Sequence, residues 1–191
     1  FAGTNAGVFR STNDGASWQA SGLSWGSSGV IFDLVVAPNR TGRSTLFAGM
    51  LLGRKDSIFI DGVFRSTDNG STWTEANGGT ASVGYEALAV SDSNLFLETA
   101  SNRVLKSADE GASWTDTYCP GRIFTSLVVC PDGSGGQNVL AGTYSGGIFL
   151  SSDNGTTWTR TVTGVEDPAE DRSIPARFSL SQNFPNPFNP T

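Results

Sequence analysis

The chain has 191 residues, no histidine, two cysteines and a formal net charge of −6. That balance excludes the basic face that nonspecific nucleic-acid binding requires. No apolar run approaches the roughly 18 residues of a membrane span. Without imidazole the commonest general base and the commonest metal ligand are missing, and Cys119 and Cys130 have no metal-ligand spacing. No metal and no cofactor are expected. Abundant glycine (24 residues), phenylalanine (12) and tryptophan (5) favour short strands and tight turns. No window carries the 3.6-residue period of a helix.

In chain order the expected strands form four groups. The first has strands at 1–4, 7–12 and 16–21. The second runs 30–38, 45–51, 61–67 and 72–76. The third runs 85–91, 94–99, 103–108 and 113–118. The fourth runs 123–130, 138–143, 147–152 and 157–163. Within a group the strands are A (nearly all apolar), B (ending at a glycine), C and D; the first group lacks A. Strand A, apolar on both faces, is expected to be covered on both sides, nearest a central axis.

Between C and D the same motif recurs four times. It joins Ser11, Asn13, Gly15 and Trp18; Ser66, Asp68, Gly70 and Trp73; Ser107, Asp109, Gly111 and Trp114; and Ser151, Asp153, Gly155 and Trp158. The tryptophans are 55, 41 and 44 residues apart. Four strands per repeat at this spacing mark the blades of an all-β β-propeller, about four blades of four antiparallel strands. The residue types fit a turn. The Asp or Asn accepts from amides two residues on, the glycine takes a positive φ, and the tryptophan buries its ring between blades. A turn repeated in every blade cannot converge on one pocket, so the motif is structural.

This pattern resembles the Asp-box (BNR) repeat of sialidases, sortilin-type receptors, xyloglucan-degrading propellers and photosystem-assembly-type propellers, over residues 1–164. The resemblance implies that the boxes lie on the face opposite the functional one, and that the B–C and D–A loops carry function. The last residues, Phe178–Thr191, with Asn183-Phe184-Pro185-Asn186-Pro187-Phe188-Asn189-Pro190 among them, resemble the opening of a type IX secretion C-terminal sorting domain. That implies a secreted or cell-surface bacterial protein whose tail engages the secretion machinery. Residues 165–177, with Glu166, Asp167, Glu170, Asp171, Pro168 and Pro175, read as an acidic linker. The incomplete first blade points to a piece of a larger propeller; a self-closed ring of four is the alternative. An open arc would expose strand-A surface.

On the expected functional face, the B–C segment 51–61 is long. It reads equally as a binding loop or as a small extra hairpin. Binding candidates on this face are Trp25, Arg54, Lys55, Tyr85, Tyr118, Arg122 and Tyr144; aromatic rings beside charges suit sugars or peptides, while the plainer role is packing on neighbouring blades. Glu98 replaces the glycine found at Gly3, Gly49 and Gly142. It joins Asp33 and Glu86 as a weak catalytic candidate, with nothing placing any two at a glycosidase separation. Three functions stay open: non-catalytic binding of glycan or extracellular protein, a glycoside hydrolase, and a structural spacer in an adhesin. Cys119 and Cys130 flank a strand A, too far apart for the roughly 4.4–6.8 Å Cα separation of a disulfide.

Overall fold

The structure, a computed structural model, describes residues 1–23, 29–38, 44–55, 58–80, 85–91, 94–120 and 123–162, with the backbone alone at 38, 52–55, 58–61, 85 and 162. Every regular element among them is a strand. The first sheet holds β1 (Ala2–Thr4), β2 (Gly7–Arg10) and β3 (Gln19–Ala20). The second holds β4 (Val30–Pro38), β5 (Ser44–Lys55), β6 (Ile58–Ser66) and β7 (Thr74–Glu75). The third holds β8 (Tyr85–Ser91), β9 (Asn94–Thr99), β10 (Arg103–Ser107) and β11 (Thr115–Asp116). The fourth holds β12 (Phe124–Pro131), β13 (Gln137–Thr143), β14 (Ile148–Ser151) and β15 (Thr159–Val162). Each sheet is an antiparallel meander in chain order, and each packs on the next through its innermost strands. This is the expected propeller arrangement of blades.

The core lies between sheets rather than within them. Val8 and Leu23 of the first blade meet Ile31, Ala48, Met50 and Phe64 of the second. Phe47 and Val63 meet Leu88, Leu95, Leu97 and Leu105 of the third. Phe96, Ala89 and Val104 meet Phe124, Leu127, Val139, Ala141 and Phe149 of the fourth. Successive strand residues point to opposite faces, so β9 sends Leu95 and Leu97 back and Phe96 forward, and is buried on both.

Three expectations are corrected. The D strands are short, because the segment running into each tryptophan gives its amides to the box side chain and not to the ladder. In the 51–61 insertion β5 and β6 continue pairing through Gly53↔Ile60 and Lys55↔Ile58, after a register shift beyond Met50, which is the pairing of the extra-hairpin alternative. Strand A is covered on both sides in blade three, where Leu88 faces blade two and Ala89 faces blade four, but not in blades two and four, where Val36 and Val128 are exposed. Val36 lies on the side of blade one, whose sheet among the described residues is β1–β3, and Val128 on the side turned away from blade three. Trp18, expected to bury its ring between blades, is 46 % exposed. Cys119 and Cys130 are not joined to each other.

Candidate functional site

The antiparallel meander puts the C–D turns at one end of every blade and the B–C turns and D–A connections at the other. At the C–D end the Asp boxes are closed local networks. Ser66 Oγ accepts from Gly70 N (2.8 Å) and donates to Asp68 Oδ1 (2.8 Å); Asp68 then accepts from Thr72 N (2.8 Å) and Thr72 Oγ1 (2.6 Å). The third and fourth boxes repeat this through Asp109 with Ser113 and Asp153 with Thr157. The amide bonded to the carboxylate is thus mainly four residues on, not two, because two consecutive residues turn left-handed. Asn69 and Gly70 have φ of 60° and 83°, and the pairs at 14–15, 110–111 and 154–155 match. Hydroxyl donation by Thr72 and Thr157 is the main cause that holds Asp68 and Asp153 down at about 2, and Ser113 likewise lowers Asp109. In box one Asn13 replaces the acid and donates Nδ2–H to Ser17 Oγ (2.8 Å). These groups are taken up by hydrogen bonds within the turn.

The boxes also join blades. Trp73 Nε1 donates to Ser21 O (3.1 Å) and Trp114 Nε1 to Ala76 O (2.9 Å), each in the preceding blade. Trp158 packs on the core between blades three and four, with its Nε1 buried and without a hydrogen-bond partner among the described residues.

At the other end, the loops between blades three and four form one hydrogen-bonded run. Tyr118 N donates to Asp116 Oδ1 (2.7 Å), whose Oδ2 accepts from Arg103 Nε (2.6 Å). Next to Arg103, Asn102 Oδ1 accepts from Ile123 N (2.7 Å), and Ile123 O accepts from Tyr144 N (2.8 Å). The run presents three apolar side chains to solvent: Tyr118 (83 % exposed), Tyr144 (79 %) and Ile123 (54 %). Tyr118 and Ile123 hold φ of 53° and 52°. For a β-branched residue that is an outlier costing on the order of 1–3 kcal/mol, the kind of strain that gathers at ligand sites. Sequence reasoning named Tyr118 and Tyr144 but placed Ile123 inside a strand; a β-branched residue gives no signal for a left-handed turn.

The carboxylate candidates separate. Asp33 is held by backbone, Oδ1 accepting from Leu34 N (2.8 Å) and Oδ2 from Leu88 N of the next blade (2.9 Å). It links two inner strands. Glu86 is exposed and falls at the β8–β9 register shift between Tyr85 and Ala87. Glu98 is 1 % exposed and neither carboxylate oxygen has a partner among the described residues. Burial above all, with Glu86 beside it, pushes it up to about 7. The register confirms its place: Glu98 opposes Ala87 as Gly49 opposes Asp33 and Gly142 opposes Ser126. At the glycines a side chain already fills the space, the Phe32 ring over Gly49 and Ser126 over Gly142. Trp25 and Arg122 lie outside the described residues, as do the side chains of Arg54, Lys55 and Tyr85.

Four meander sheets with interblade cores and a box on each C–D turn define a propeller of Asp-box type. The chain belongs to the family described as the DUF6242 beta propeller domain, whose model matches residues 60–183. It is 30 % identical over 160 residues to a xyloglucanase of Hypocrea jecorina (strain QM6a), covering 79 % of this chain and 18 % of that enzyme. Among solved structures it is similar to an ancestral GH74 enzyme (TM-score 0.61, 20 % identity, 86 % of this chain and 22 % of the enzyme). It is also similar to YCF48 from Cyanidioschyzon merolae (TM-score 0.51, 18 % identity, 77 % and 41 %). At these identities the structural likeness is one of fold, and the chain spans about a fifth of the two glycan-enzyme relatives.

Proposed function

We propose that this propeller is a non-catalytic glycan-binding module acting through the loop face of blades three and four. The observation that carries the reading is the run from Tyr118 to Tyr144, which holds two tyrosines and a strained isoleucine open to solvent. Apolar rings stack on the CH faces of sugars, and the adjacent Arg103–Asp116 pair offers polar contacts for hydroxyls. The relationship to a xyloglucanase supports a polysaccharide over a protein as ligand. A non-catalytic role fits the carboxylates: Asp33 is taken up by two amides, and Glu98 is enclosed. The catalytic reading draws on one observation, the raised Glu98, since acids near neutrality gather at active sites. The tail at 178–191 supports export by type IX secretion to the cell surface.

The test is affinity electrophoresis of the chain in gels containing soluble xyloglucan or mixed-linkage glucan, with reducing-sugar release measured in parallel. Retardation should be lost on replacing Tyr118 and Tyr144 with alanine, singly by about tenfold in affinity, or about 1.4 kcal/mol. Retardation unchanged in the double variant would refute this face. Reducing-sugar release abolished by Glu98→Gln would replace the binding reading with the catalytic one.

A further inference from the structure

At the opposite end, a cleft of about 260 Å³ opens between the first and second boxes, lined by Arg10, Thr12, Ser17, Gln19, Asn69 and Ser71 among others. The repeats differ in the side chains they present across successive interfaces. The residue before each box serine is Arg10, Arg65, Lys106 or Leu150, and the residue before each box glycine is Asp14, Asn69, Glu110 or Asn154. Across the second interface Arg65 pairs with Glu110 at 2.8 Å. Across the third, Lys106 Nζ donates to Asn154 O at 2.8 Å. Across the first, the neutral Asn69 stands where Glu110 stands. Among the described residues no carboxylate pairs with Arg10, whose guanidinium lies 6.0 Å from the centre of the Phe1 ring. Asp14 and Asp68 are not among the lining residues, and the Asp68 carboxylate is turned into its own box.

We infer that this cleft binds a small hydroxylated oxyanion, with Arg10 taking its anionic group and Gln19, Asn69 and the serine and threonine hydroxyls taking its hydroxyls. A guanidinium offers a planar fork of donors matched to a carboxylate or phosphate. The rest of the lining is uncharged and mostly polar, which suits a polyol. The volume is near the small end of ligand clefts, about 300–1,000 Å³, so the occupant is a monosaccharide-sized acid or phosphate ester. The site is at the far end of the blades from Tyr118 and Tyr144, and independent of them.

The test is an amide-resonance titration of the full chain with glucuronate, glucose 6-phosphate and neutral glucose. At least one anion should shift resonances around Arg10, Gln19 and Asn69 saturably, with Kd on the order of 1 mM. Which anion does so identifies the carboxylate or the phosphate as the group recognised. Arg10→Gln should weaken binding at least about tenfold. Asn69→Glu should do the same in a folded protein, since Glu110 holds the same left-handed turn, by supplying Arg10 with the partner that Arg65 has. Shifts by neither anion, equal shifts by glucose, or binding that survives both substitutions would overturn the site.

Discussion

Glu98 is the residue at which this chain departs furthest from its own repeat. Glycine at the equivalent positions leaves room for a neighbour's side chain, whereas Glu98 places a carboxyl between Ala87 and Val104 on the face turned to blade four. Its folded value of about 7 lies above the ordinary 4.5, so the native state holds a proton that the unfolded chain releases. Stability then falls as pH rises from about 4.5 to about 7 and levels off above that. Ionising the carboxyl in place costs on the order of 3 kcal/mol at most. Glu98→Gln should therefore melt at higher temperature than the parent at pH 8, with the gap narrowing toward pH 5. A gap independent of pH in thermal unfolding would show an ordinary carboxyl. The box aspartates have the opposite sign: Asp68 and Asp153 contribute above the usual aspartate range and lose that contribution as pH drops toward 2.

The element that decides the fold is the box turn, and its glycine has two tasks. Gly111 holds a φ of 87°, and a Cβ there would meet Ala76 of the preceding blade at 2.6 Å; Gly155 meets Phe96 at the same distance. The glycine therefore sets both the turn and the closeness of adjacent blades. Gly133 has a similar φ of 82° but open space around it. Gly133→Ala should cost only the left-handed penalty, about 1–2 kcal/mol. Gly111→Ala adds a clash worth about 1–3 kcal/mol, giving a total of about 2–5 kcal/mol. Chemical denaturation of the two variants side by side measures the difference, and equal costs would refute the interblade role.

For the whole molecule, the cores between sheets make each blade depend on its neighbours. Phe47, fully buried between blades two and three, should cost about 3–5 kcal/mol on replacement by alanine. Hydrogen exchange should quicken in β5 and β8 together; quickening confined to β5 would mean that blades are stable singly. The sequence by itself determined the blades, since Ser, Asp, Gly and Trp at fixed offsets encode a turn whose bonds close locally, and apolar periodicity encodes the strands. β4, β8 and β9 run over the residues it indicated. It also marked Glu98, because a repeat exposes its own exceptions. Only the tertiary structure decided which side chains stay open. Ile123 becomes exposed because Asn102 and Tyr144, distant in sequence, hold it left-handed. Asp33 is tied to an amide of the next blade. Arg10 is left without the partner that Arg65 has, because pairing across an interface depends on which residue the neighbouring blade presents.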